Sequence, residues 1–204
     1  MFIKICGITN IEDALLAYKL GANALGFIFA PSKRQITPTE AAEIISQLPN
    51  NIEKIGVFVN ETKENILKTG EQIGLSCIQL HGNESPQLCQ DIGKQFKTIK
   101  AIKVNPSGKM KKPLIYPVWK ILLDTYVPSA EGGSGKTFNW KALDQFDLAN
   151  VIIAGGLNAE NIQDLLSQFT PFGVDLSSGV EVFPGKKDHT KLQRFFNQIQ
   201  LVTS

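Results

Sequence analysis

Short apolar runs recur along the chain: Phe2 to Cys6, Ala24 to Phe29, Lys54 to Val59, Cys77 to His81, Thr98 to Val104, Lys120 to Asp124, Val151 to Ala154 and Gly173 to Leu176. Each is only a few residues long and rich in Ile, Val, Leu or Phe, which predicts eight buried strands. Between them, apolar residues return at spacings of three and four, as in Ile11 to Leu20, Thr39 to Leu48, Lys63 to Ile73 and Asn158 to Phe169, the period of amphipathic helices. Thr9 or Asn10, Thr37 and Thr62 stand where N-caps belong, and Asn158 is placed to cap the helix after the seventh run. Strands alternating with helices over 204 residues predict one domain, residues 1–204, folded as a closed (β/α)8 barrel; an open doubly wound sheet is the alternative. The fifth unit departs from the pattern. Pro106, Gly108, Pro113 and Pro117 crowd the gap between Val104 and Trp119, so a loop or single turn is expected there in place of a regular helix.

In a parallel barrel the C-terminal strand ends form the active face, and alternation decides which side chains point inward. Ile3 and Ile5 then pack against helices while Lys4 and Cys6 turn inward. The same parity turns Gln79 and His81 inward, sets Asp124 at the mouth and aims Asp175 into the same space. Singly, each has an ordinary structural reading: a buried cysteine acts as a small hydrophobe, a histidine before glycine ends a strand, an aspartate before threonine starts a turn. Arg34, just after the second run, has the reading of a solvated surface charge. Convergence on one face favours chemistry.

Two loops on that face point to an anion. Gly155 and Gly156 follow the seventh run, and Ser177, Ser178 and Gly179 follow the eighth. Both offer backbone N–H groups without bulk, and a phosphate dianion has enough acceptor oxygens to bond to both. The long segment from Thr125 to Asn139 is read either as a lid over the ligand or as a merely mobile loop. Its Gly-Ser-Gly-Lys-Thr resembles the end of a nucleotide-binding P-loop, but Ala130 stands where the first glycine of that motif is required, and that reading is rejected.

Composition narrows the classes. Lys and Arg number 21 against 19 Asp and Glu, a net charge of +2, too even for a nucleic-acid or membrane-binding surface. The lysines between 94 and 112 are not interleaved with aromatics as a single-strand nucleic-acid surface would be. No apolar run approaches membrane-spanning length, and no secretory leader pattern opens the chain. Cys6, Cys77 and Cys89 are odd in number and lack Cys-x-x-Cys spacing, so neither a disulfide framework nor a zinc site is expected and a reducing cytoplasm fits.

Several motifs together resemble one family. Lys-Ile-Cys-Gly-Ile-Thr at 4–9, Gly-Phe-Ile-Phe at 26–29 with Ser32-x-Arg34, Gln-Leu-His-Gly at 79–82 and Leu-Asp-Thr at 123–125 are similar to phosphoribosylanthranilate isomerase. So are Ala-Gly-Gly-Leu at 154–157, Val-Asp-Leu-Ser-Ser-Gly-Val-Glu at 174–181 and Pro-Gly-x-Lys-Asp at 184–188, in the right order and almost end to end. Gln35 departs from the aromatic or aliphatic residue the family often carries. The resemblance implies a (β/α)8 barrel that performs the Amadori rearrangement of N-(5'-phosphoribosyl)anthranilate to 1-(2-carboxyphenylamino)-1-deoxyribulose 5-phosphate in tryptophan biosynthesis. It implies Asp124 as general acid, Cys6 as general base, Arg34 on the anthranilate carboxylate, the two loops on the phosphate, and Asp175 and His81 lining the site. No metal or organic cofactor is implied, the partner is the small-molecule substrate, and the protein is a monomer or a homodimer. Two alternatives stand beside it: the histidine-pathway aminoaldose isomerase, in which a carboxylate is expected where Cys6 stands, and a phosphate-ligand binding barrel without catalysis.

Overall fold

Every apolar run forms a strand in the computed structural model, which describes residues 1–108, 115–125 and 137–203. The strands are β1 (Phe2–Cys6), β2 (Ala24–Ile28), β3 (Glu53–Phe58), β4 (Cys77–Leu80), β5 (Lys97–Val104), β6 (Lys120–Thr125), β7 (Val151–Ile153) and β8 (Gly173–Leu176). Each pairs in parallel with its sequence neighbour and β8 returns to β1, so the sheet is a closed barrel and the open-sheet alternative falls. Alternation holds throughout. Ala24, Ile55, Cys77, Ile99, Ala101, Leu122, Ile152 and Ala154 fill the barrel interior, while the intervening residues pack outward in a larger cluster against the helices. Phe2, Trp119 and Phe172 plug the N-terminal end, with ring centroids 5.4 to 5.9 Å apart. The C-terminal mouth lies at the other end.

The helices are α1 (Ile11–Leu20), α2 (Pro38–Ile45), α3 (Lys63–Ile73), α4 (Pro86–Gly93), α5 (Ile162–Gln168) and α6 (His189–Thr203). Asn10, not Thr9, caps α1 by accepting from the Asp13 N–H; Thr37 and Glu40 form a reciprocal capping box on α2, and Thr62 and Ser85 cap α3 and α4. Such caps contribute about 1 kcal/mol each. Asn158 does not cap α5. Its side chain accepts from the N–H groups of Glu160 and Asn161 and closes a separate turn, so the helix begins only at Ile162. Local side-chain bonds of this kind compete with helix for the same backbone donors.

Other connections are less regular than their spacing implies. Two short 3-10 turns, Trp140–Gln145 and Leu148–Asn150, lead into β7, with no α-helix among the described residues of that connection. Among the described residues between β5 and β6 there is no helix, as the prolines predict; residues 109–114 of that gap lie outside the described residues. After β8 the chain makes a 3-10 turn, Ser178–Val180, and then an unanticipated hairpin of β9 (Glu181–Phe183) and β10 (Lys186–Lys187). No helix among the described residues is long and apolar enough to cross a membrane.

A buried ion pair fixes the loop that leaves β4. Lys100 Nζ donates to Glu84 Oε2 at 2.9 Å and to the carbonyl oxygens of Leu80, Gly82 and Ala101, and Glu84 in turn accepts from the backbone N–H of Asn60 and of Gly82. Burial would raise the Glu84 carboxyl, but these backbone donors and Lys100 outweigh it and hold it below its ordinary value. A depressed carboxyl stabilises the fold above its unfolded value, 4.5, and that contribution is lost as pH falls through the lower folded value. Glu84→Leu leaves the ammonium buried without its counter-charge and is expected to cost about 3 to 5 kcal/mol in urea unfolding at pH 7, with a smaller deficit at pH 4. An equal deficit at both values would detach the acid sensitivity from this pair.

Candidate active site

The closure of the barrel brings the first two candidates together. Lys4 on β1 is in register with Asp175 on β8, so their inward side chains are neighbours. Lys4 Nζ donates to both oxygens of Asp175, at 2.9 and 3.0 Å, and Lys4 is wholly buried while Asp175 is 8% exposed. Burial opposes both charges, yet the paired carboxylate and the neighbouring Cys6 outweigh it at Lys4 and hold the ammonium above the ordinary lysine value. Asp175 therefore faces the expected space, but its carboxylate is already engaged.

Cys6 lies one inward position nearer the mouth. Gly26 on the next strand makes room for it: a β-carbon there would stand 2.8 Å from Cys6 Sγ and 3.0 Å from Lys4 Nζ. Lys4 is thus the cation beside the thiol that strand parity suggested. Even so, burial dominates and pushes the Cys6 thiol up, with Lys4 opposing only in part. The remaining thiols, Cys77 and Cys89, are buried and pushed up to about 12 and about 11.

On the opposite side of the mouth, Asp124 Oδ2 lies 3.2 Å from His81 Nε2, and His81 Nδ1 lies 2.9 Å from the side-chain nitrogen of Gln79. His81 and Asp124 remain partly exposed, so this end of the site is open to a ligand.

Arg34 is not the solvated surface charge of its ordinary reading. It is 8% exposed, its Nε donates to both oxygens of Glu181 at 2.9 and 3.1 Å, and its Nη2 donates to Oε2 at 2.7 Å. The guanidinium is half engaged: its side edge holds Glu181, and among the described residues the end edge, Nη1 with the second proton of Nη2, is what remains. Glu181 also accepts from Lys187 Nζ at 2.9 Å, and Lys187 donates to the carbonyl of Cys6 at 2.6 Å. Burial would raise the Glu181 carboxyl, but Arg34 and Lys187 outweigh it and hold it below the usual carboxylate range. Sequence reasoning gave Glu181 and Lys187 no role. Both stand in quoted motifs, but strand alternation carries no information about a hairpin that folds back beneath the first loop.

The two glycine-rich loops meet. Gly155 and Gly156 adopt φ of 84° and 69°, and a β-carbon on Gly155 would lie 2.5 Å from the backbone nitrogen of Thr125. A β-carbon on Gly179 would lie on the carbonyl oxygen of Leu157, so the second loop packs against the first at Gly179, while Ser177 Oγ lies near Gly7. Thr125 Oγ1 and Ser177 Oγ, beside these loops, are buried without a partner among the described residues. Among the same residues no group of His, Cys, Asp and Glu is placed to hold a metal ion. The expected lid falls largely on 126–136, outside the described residues.

A family model described as N-(5'-phosphoribosyl)anthranilate (PRA) isomerase matches residues 3–198. The chain belongs to the phosphoribosylanthranilate isomerase family. It is 48% identical over 195 residues to the N-(5'-phosphoribosyl)anthranilate isomerase of Pelobacter propionicus, covering 95% of this chain and 92% of that one. Monomers made from the dimeric phosphoribosylanthranilate isomerase of Thermotoga maritima superpose with a TM-score of 0.85 at 41% identity, covering 98% of each chain. A phosphoribosylanthranilate isomerase bound to reduced 1-(o-carboxyphenylamino)-1-deoxyribulose 5-phosphate superposes with a TM-score of 0.82 at 38% identity, again over 98% of each chain.

Because burial holds the Cys6 thiol up and Lys4 pulls against it, alkylation of Cys6 by iodoacetamide in the ligand-free isomerase should keep rising above pH 9.0, the ordinary value. Lys4→Met should displace the profile further upward. A plateau near pH 7, followed by mass spectrometry of the labelled peptide, would contradict the dominance of burial.

Proposed function

We propose that this chain carries out its family's reaction, the rearrangement of N-(5'-phosphoribosyl)anthranilate to 1-(2-carboxyphenylamino)-1-deoxyribulose 5-phosphate in tryptophan biosynthesis, with Asp124 as acid and Cys6 as base. The observation that supports the assignment is that these two groups stand at the C-terminal ends of β6 and β1, at the same barrel mouth as the two glycine loops that follow β7 and β8. A proton from Asp124 to the furanose oxygen opens the ring to an iminium ion. Cys6, as the thiolate that Lys4 favours against burial, then removes the proton on the second sugar carbon, and the enolamine tautomerises to the ketone. The reaction needs only one acid and one base held in register with a bound substrate.

Binding follows from the same arrangement. The phosphate takes backbone N–H groups from Gly155, Gly156, Ser178 and Gly179, with Ser177 Oγ and Thr125 Oγ1 as further buried polar atoms near the loops. The anthranilate carboxylate meets the end edge of Arg34, whose side edge Glu181 holds in place. Cys6 in the position of the base does not favour the histidine-pathway reading, which wants a carboxylate there. The dimeric relative from Thermotoga maritima supports a homodimer, with a monomer as the alternative, and the cytoplasm is the expected compartment.

Asp124→Asn and Cys6→Ala should each lower kcat by at least about a hundredfold while substrate binding survives, followed by the loss of substrate fluorescence. Near-normal turnover in Cys6→Ala would remove the base. Gly156→Asp should raise KM sharply with much less effect on kcat, and inorganic phosphate should compete with substrate in the parent but weakly in the variant. Unaltered competition would place the phosphate elsewhere.

A further inference from the structure

Gln79 is the least explained polar residue of the barrel interior. It is fully buried, and its Oε1 has no partner among the described residues. An apolar side chain of similar length would fill the layer without that unsatisfied acceptor, so stability does not account for an amide here. Its other end does have a use: the side-chain nitrogen lies 2.9 Å from Nδ1 of His81, whose Nε2 lies 3.2 Å from Oδ2 of Asp124.

The donor and acceptor types along this chain form one consistent set. An ionised carboxylate only accepts, so contact with Asp124 requires the proton on Nε2, and a neutral ring then offers a lone pair at Nδ1 to the Gln79 N–H. The reversed amide would bury two donors without partners in place of one acceptor. When Asp124 carries its proton on Oδ1, Oδ2 still accepts from Nε2, so one tautomer serves both states of the acid.

We infer that Gln79 is a positioning residue of the reaction: it fixes His81 as the Nε2–H tautomer, and His81 steadies the carboxylate left on Asp124 after proton donation. The inference rests on the reading of Asp124 as the acid. In that step the O–H bond of Asp124 breaks, its electron pair stays on the carboxylate, and the proton forms a new O–H bond at the departing ring oxygen. The new charge arises beside an N–H that already points at it, so little reorganisation is needed. His81, given a substrate-lining role by the resemblance, acts instead through Asp124.

Charge alone does not select this tautomer. Facing His81 are Asp124 from β6, Asp175 from β8 with Lys4 paired to it, and Lys103, which the register sets beside Asp124 on β5; Glu84 and Lys100 are paired behind the loop. These groups are of both signs. Among the described residues, the group bonded to Nδ1 is the Gln79 side-chain nitrogen.

The chain has two histidines, so the 15N–1H spectrum of their side chains can be assigned with a His189 variant. At neutral pH His81 in the parent should be the Nε2–H tautomer. Gln79→Met should keep the fold, show mixed tautomers at His81, and lower kcat by at least about tenfold with KM within about twofold. Gln79→Glu, whose carboxylate accepts from Nδ1–H, should reverse the tautomer and lower kcat as well, which keeps a test in hand if the methionine variant does not fold. An Nδ1–H tautomer in the parent, or an unchanged tautomer and kcat in both variants, would overturn the inference. If Asp124→Asn retains kcat, the acid assignment itself fails, whatever the tautomer of His81.

Discussion

The contact between Lys4 and Asp175 stands where the first strand meets the last, and the closed barrel depends on the register it marks. A slip of one residue would send Lys4 and Cys6 out among the helices and bring Ile3 and Ile5 inside. Neither charge tolerates a dry interior alone, so the pair penalises every other closure. Once that register holds, Cys6 is delivered to the mouth beside a cation and opposite Gly26, where a β-carbon would crowd both.

Four buried ion pairs in three groups surround the mouth: Lys4 with Asp175, Arg34 and Lys187 with Glu181, and Lys100 with Glu84. Buried pairs seldom stabilise a fold more than apolar side chains of the same volume would. Their common property here is location. The first lies under the proposed base, the second ties the proposed carboxylate-binding arginine to the backbone of Cys6, and the third anchors the loop that begins at His81. Charge buried along the strands and the loops that follow them fixes the groups around the mouth in place.

The proposed acid and base live in opposed surroundings. Cys6 is enclosed, and burial works against its thiolate even beside Lys4, whereas Asp124 keeps access to solvent and leans on His81. Asp124 and Cys6 thus reach the same bound sugar from unlike environments, a difference set by the strands that carry them.

The sequence by itself determined the eight strands, their inward parity, and hence the arrival of Lys4, Cys6, Gln79, His81, Asp124 and Asp175 on one face. Those features are periodic, and period two survives any detail of packing. The N-caps at Thr37 and Thr62 were legible for the same reason, because capping is local. Tertiary structure alone decided the rest. Asn158 and Asn161 form their own turn, the hairpin brings Lys187 to the carbonyl of Cys6, the side edge of Arg34 is held by Glu181, and Asp175 is spent on Lys4. These outcomes pair residues more than a hundred positions apart, or set one local hydrogen bond against another, and no periodicity encodes which partner a charged group finds once the barrel has closed.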